Sequence, residues 1–145
     1  MPRKKILIVI SNLKIGGGAQ RMASLLSTEI SYLYDVNILT FYDFKDCYKY
    51  SGRYISLNEN NNKFKLFLRP FKLYKFIKKN SPDIIISFMD HVNVLVAFIK
   101  IIFRLKTPLL FSIQNNPLYQ HKGITSYINL LIKIFYLVAL SLFSC

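Results

Sequence analysis

The sequence predicts an α/β fold: a Rossmann-like, largely parallel sheet with helices on both faces. Three observations carry this expectation. The run Ile6-Leu7-Ile8-Val9-Ile10 is continuously apolar and rich in β-branched residues, as in a strand covered on both sides. Glycines at 16, 17 and 18 follow it, and a helical pattern starts at Ala19. Apolar runs and helical patterns then keep alternating along the chain, which is the order of a doubly wound sheet.

Each element has its own justification. Over residues 19–33, Ala19, Met22, Ala23, Leu26, Ile30 and Leu33 recur at helical spacing and predict one apolar face, with Gln20, Ser24, Thr28 and Ser31 elsewhere on the wheel. Residues 36–41, Val-Asn-Ile-Leu-Thr-Phe, predict a second strand, and the polar and aromatic residues 42–50 a loop. Residues 53–57 predict a short third strand, and Glu59-Asn60-Asn61-Asn62 a solvated turn. Residues 63–79 hold seven bases (Lys63, Lys65, Arg69, Lys72, Lys75, Lys78, Lys79) and no acid. Phe67, Phe71, Tyr74 and Ile77 alternate with them, so a basic amphipathic helix is expected, with Pro70 suited to a first turn rather than a middle. Asn80-Ser81-Pro82-Asp83 ends it. Residues 84–88 predict another buried strand, residues 92–103 a helix, and residues 109–113 a further strand. The apolar stretch 123–145 carries Lys133 as its only charge. A helix at 126–137 followed by a strand at 138–143 is expected, with a membrane span as the other reading of its length.

Composition narrows the function. The 145 residues suffice for one domain with a core, and 52% hydrophobic residues exclude a disordered chain. Twenty Lys and Arg against seven Asp and Glu give a net charge of +13, which favours anionic partners. Nucleic acid is not expected, because no recognised motif accompanies the charge. Cys47 and Cys145 form no paired motif and point to a reducing compartment. His91 and His121 have no ligand-spaced partners, so no metal is expected. No signal peptide is expected either, since the apolar run behind Arg3-Lys4-Lys5 stops at Ser11. The expected location is cytoplasmic, peripheral on the inner face of the plasma membrane.

The glycine turn has two readings, a plain tight turn or a place where backbone approaches a phosphate at a helix N-terminus. Two familiar motifs fit it poorly. In the dinucleotide pattern Gly16 and Gly18 match but Arg21 stands at the third glycine, with Asp43 a weak stand-in for the acid after the second strand. No Gly-Lys-Ser/Thr of a P-loop follows. Asp90, His91 and Asn93 follow the strand at 84–88, and Gln114 and Asn115 follow the strand at 109–113. Both loops lie at carboxyl ends of strands, where open α/β sheets bind ligands. Capping of the next helix is the other role open to Asp90.

KILIVISNLKIGGGAQRMASLLS, with its Gly17-Gly18-Ala19-Gln20-Arg21 turn, resembles the opening of family 4 glycosyltransferases of the GT-B fold. SPDIIISFMDHVNV at 81–94 and TPLLFSIQNNPLY at 107–119 resemble later segments of that family, in the same order. The resemblance implies the N-terminal, acceptor-side domain of an enzyme that moves a sugar from a nucleotide sugar to a lipid-linked or saccharide acceptor. It implies no cofactor beyond the donor. The C-terminal donor-binding domain is expected to be absent from these 145 residues, and the chain alone to be inactive. Expected substrate-binding residues are Gly16, Gly17, Gly18, Gln20, Arg21, Asp90, His91, Asn93, Gln114 and Asn115. Lys65, Arg69, Lys72, Lys75 and Lys79 are expected to face an anionic membrane. Catalytic residues are not assigned. Gln-Asn-Asn at 114–116 departs from the charged or histidine residue that relatives carry near that loop. The alternatives are a non-catalytic membrane-associated domain and a small Rossmann nucleotide-binding protein.

Overall fold

The computed structural model describes residues 2–57 and 63–113. The solvated turn expected at 59–62, Gln114, Asn115 and the apolar stretch 123–145 lie outside the described residues, as does the side chain of Lys65. The elements in chain order are β1 (Lys5–Ile10), α1 (Gly18–Ile30), β2 (Asp35–Thr40), β3 (Arg53–Ser56), α2 (Lys63–Asn80), β4 (Ile84–Phe88), α3 (Asp90–Ile102) and β5 (Leu109–Ser112). Every strand pair is parallel and the sheet order is β3-β2-β1-β4-β5. The Rossmann-like α/β expectation holds.

Strand alternation divides the core in two. Ile6, Ile8, Ile10, Val36, Ile38, Ile86 and Phe88 face α1, where Ala23 packs on them. Leu7, Val9, Leu39, Phe41 and Ile85 face the opposite layer, against Leu73 and Ile77 of α2 and Val92, Val96 and Ile99 of α3. The register Ile8↔Ile38 and Ile8↔Ile86 keeps like faces together across the sheet. A slip of one residue would turn both sets to the wrong layer. Residues 7–10 are at most 1% exposed, so each contributes roughly 1.5–3 kcal/mol by burial.

Several details differ from the sequence expectations. Of the face expected for α1, Ala19, Ala23, Leu26 and Ile30 pack on the core, but Ser24 and Ser27 are buried with them, while Met22 and Leu33 are 49% and 70% exposed. The serines tolerate burial because they are bonded: Ser24 Oγ donates to the Lys49 carbonyl, and Ser27 Oγ donates to the Ser24 carbonyl at 2.6 Å and accepts from the Ser51 N–H at 3.3 Å. In α2, Pro70 lies inside the helix. The seam of α2 is Arg69, Leu73 and Ile77, spaced four apart, whereas Phe71 stays 52% exposed beside Phe103. Arg69 therefore does not face outward with the other bases; its side chain is buried. Asp90 does not cap α3. Met89 is the N-cap, and its carbonyl accepts from the Val92 and Asn93 N–H groups at 3.0 and 2.9 Å.

Candidate functional site

The sheet order places a crevice between the carboxyl ends of β1 and β4. The chain leaves β1 toward the α1 layer and leaves β4 toward the α3 layer, so the two connections part there. On one side stands the loop 11–17 and the first turn of α1. On the other stand Met89, Asp90 and His91.

The glycine loop is held from outside by residues 44–48. Lys14 and Cys47 form an antiparallel bridge, the Ile15 N–H donates to the Asp46 carbonyl at 3.0 Å, and the Tyr48 N–H donates to the Leu13 carbonyl at 3.0 Å. The Gly16 N–H donates to the Tyr48 hydroxyl at 3.2 Å. Leu13, fully buried, pins the loop to the sheet. The glycines have separate tasks. Gly16 has φ +123°, a conformation side-chain-bearing residues avoid. Gly17 is the N-cap of α1 with an ordinary φ of −116°, and its carbonyl accepts from the Arg21 N–H at 3.1 Å. Its Cα instead leaves room for Gln20, since a Cβ there would sit 1.9 Å from Gln20 Oε1. Gly18 opens the helix and is exposed, Gln20 is half-buried over Gly17, and Arg21 is exposed.

Across the crevice, Met89 holds φ +76°, a strained conformation for a non-glycine residue that costs on the order of 1–3 kcal/mol. This strand-to-helix corner has no sequence signal beyond its position. Asp90 is half-buried in the first turn of α3 and His91 is exposed. The His91 imidazole is held below its ordinary pKa, first by desolvation, then by the Arg69 charge, with Asp90 opposing. The first two effects favour its neutral form. Asn93, expected in the crevice, is not there. It is fully buried, its Oδ1 accepting from Ser87 Oγ at 2.7 Å and its Nδ2 donating to the Ser112 carbonyl at 3.3 Å. One helical residue pair beyond His91, the side chain turns inward and ties the end of β4 to the end of β5.

Arg69 is the residue whose place the sequence hid. It is 8% exposed, with Nη2 donating to the Tyr42 hydroxyl at 2.8 Å. Its guanidinium carbon lies 4.4 Å from the Phe41 ring centroid and 5.3 Å from that of Tyr42. The charge is thus carried at the carboxyl end of β2, close enough to affect His91. Asp43, the possible ribose acid of a dinucleotide site, accepts instead from the Tyr54 hydroxyl at 3.0 Å.

The geometry brings together a glycine loop, a helix N-terminus, Gln20, Arg21, Asp90 and His91. These groups can orient a polar, hydroxyl-rich ligand and meet negative charge. Among the described residues no cluster of His, Cys, Asp and Glu could hold a metal ion, and no helix is long and apolar enough to cross a membrane.

No protein-family model matches the chain. In sequence it is 31% identical over 126 residues, 79% of this chain, to the GalNAc-alpha-(1->4)-GalNAc-alpha-(1->3)-diNAcBac-PP-undecaprenol alpha-1,4-N-acetyl-D-galactosaminyltransferase of Campylobacter jejuni. The match spans 33% of that relative's length. In structure it is similar to the UDP-N-acetylglucosamine 2-epimerase of Rickettsia bellii, with a TM-score of 0.63 and 12% identity. That likeness covers 92% of this chain and 37% of the epimerase. The chain is thus similar in sequence to a glycosyltransferase, over a third of that enzyme's length, and has a Rossmann-like α/β fold.

Proposed function

We propose that the chain is the acceptor-side domain of a family 4 glycosyltransferase, taking a lipid-linked or saccharide acceptor that receives a sugar from a nucleotide sugar. The observation that supports this most is the 31% identity to a transferase acting on a PP-undecaprenol-linked saccharide, over a segment that includes most of this chain. The crevice is consistent with it. Gly16–Gly18, Gln20 and Arg21 meet the reacting centre from one side, and Asp90 and neutral His91 bond acceptor hydroxyls from the other. Positive groups aimed at a departing nucleotide diphosphate are needed for the chemistry. Arg21 and the N-terminus of α1 supply part of that here, and the remainder comes from a donor-binding domain.

Residues 91–145 contain no Asp or Glu, so the acidic donor motif of the family has no counterpart in them. We therefore expect the 145-residue chain to bind acceptor and not to turn over. A screen of purified chain against nucleotide sugars and lipid-diphosphate acceptors, watched for released nucleotide, should stay silent. Amide chemical shifts at residues 16–21 and 90–91 should move on adding a saccharide–diphosphate acceptor analogue. Shifts confined to other regions would overturn the assignment of the crevice.

The membrane reading rests on Lys72, Lys75 and Lys79 of α2, half-buried, exposed and exposed in turn, without Arg69. Anionic lipid attracts such residues by about 1 kcal/mol each near the surface. Co-sedimentation with vesicles should rise with anionic lipid and fall with salt; equal binding to neutral vesicles would refute it.

A further inference from the structure

A second concave region lies at the opposite edge of the sheet, where the strands begin. It encloses about 610 Å³ between the starts of β1, β2 and β3 and the residues after α1. Arg3, Lys5 and Arg53 supply three cations to its lining, and Ser31, Tyr34 and Ser51 supply hydroxyl groups. Asp35 is the single acid. Among the described residues neither the Arg3 nor the Arg53 guanidinium is in an ion pair, and the three cations outnumber the one acid of the lining.

The walls are fixed by backbone bonds rather than by the cations. The Asp35 N–H donates to the Lys4 carbonyl at 2.9 Å, the Tyr34 N–H to the Ile30 carbonyl at 2.9 Å, and the Ser51 N–H to Ser27 Oγ at 3.3 Å. Gly52 completes the floor. Its φ is +98°, and a Cβ there would lie 2.4 Å from the Val36 carbonyl oxygen, so the turn into β3 can press on β2 only with glycine. The cationic side chains are therefore not needed to hold the cleft together and remain exposed to solvent.

We propose that this cleft is an anion site for a phosphate group, distinct from the crevice at the carboxyl ends. Two arginines flanking a rigid concavity suit phosphate because the guanidinium fork matches two phosphate oxygens at once. The Tyr34 and Ser51 hydroxyls donate to the remaining oxygens, whereas the Ser31 hydroxyl is engaged with the Thr28 carbonyl at 2.8 Å. The phosphate belongs either to a soluble ligand or to a lipid headgroup. Tyr32 and Leu33, 72% and 70% exposed on the adjoining turn, stand beside the cleft mouth in either case.

The test uses the purified chain with two probes, inorganic pyrophosphate by calorimetry and vesicles with or without phosphatidylglycerol by co-sedimentation. Arg3→Ala/Arg53→Ala should weaken binding of at least one probe by about tenfold or more, the scale of one lost charge-assisted hydrogen bond. Arg53→Lys should recover part of it. Lys45→Ala/Lys106→Ala, an equal loss of charge elsewhere, should leave it unchanged. Unaltered melting temperature in all variants separates loss of the site from loss of the fold. An effect on pyrophosphate identifies a soluble phosphate ligand, and an effect on vesicles alone identifies a headgroup. Binding of neither probe, or equal weakening by the two double variants, overturns the proposal.

Discussion

Replacing Asn93 with alanine distinguishes a structural tie from a ligand contact. The side chain is fully buried, accepts from Ser87 Oγ at 2.7 Å and donates to the Ser112 carbonyl at 3.3 Å. Each bond is worth about 1 kcal/mol net, and the buried Ser87 hydroxyl, losing its acceptor, adds about 1–3 kcal/mol. The variant should therefore lose about 3–5 kcal/mol of unfolding free energy. Urea unfolding followed by circular dichroism reads this as a lowered midpoint at unchanged slope. Ser87→Ala closes a double-mutant cycle, in which the pair should show a coupling of about 1 kcal/mol. A loss below about 0.5 kcal/mol for Asn93→Ala, the scale of an unremarkable surface change, would refute the reasoning. So would unchanged stability with a large fall in acceptor-analogue affinity, which is what a ligand contact gives.

Arg69→Leu should cost about 2 kcal/mol, since a charge-assisted bond to Tyr42 and contact with the Phe41 ring disappear together, whereas the same change at exposed Lys75 should fall within about 0.5 kcal/mol; comparable losses at both would show that the buried seam is misplaced. Gly52→Ala should destabilise by more than about 1 kcal/mol, because it combines a positive φ with a backbone clash, and a neutral thermal scan would contradict it. Tyr54 is pushed up to about 12, first by desolvation, with Asp43 adding to it. Its contribution to stability is complete below its ordinary value near 10 and is lost as pH rises from there to about 12, so a tyrosinate titration at 295 nm should show one late step that Tyr54→Phe removes. The His91 shift has the opposite direction: its contribution is present above about pH 6.5 and is lost as pH falls below it, so His91→Gln should flatten the acid limb of the stability profile, and an unchanged limb would exclude it.

The sheet was legible because its strands are written as continuous apolar runs. Residues 6–10 and 84–88 can be stable only if covered on both faces, and that requirement alone implies two helical layers. The helices were legible as helices but only in part as faces. In α1, Ser24 and Ser27 are buried by hydrogen bonds that depend on where the chain at 49–51 returns, which no local period records. In α2, apolarity pointed to Phe71, while the actual seam runs through Arg69, because Phe41 and Tyr42 from a distant part of the chain offer its guanidinium two rings and a hydroxyl. The same limit governs the site. Gly16–Gly18, Gln20, Arg21, Asp90 and His91 lie where the sequence places them, at the carboxyl ends of β1 and β4. Asn93 was misassigned because polarity at a strand end does not distinguish a group facing ligand from one bonded to the neighbouring strand.

The bracing of the glycine loop by residues 44–48 bears on how quickly the crevice can be occupied. Loops that must order around a ligand lose entropy at the moment of encounter, and association then waits on a minor conformation. Here residues 13–16 have ladder-like partners in the free chain, through Asp46, Cys47 and Tyr48. Their configurational freedom is surrendered during folding and is not surrendered again on association. A ligand of the proposed crevice would meet one prearranged loop instead of an ensemble, and its entry on this side would then be set by diffusion and orientation rather than by loop closure.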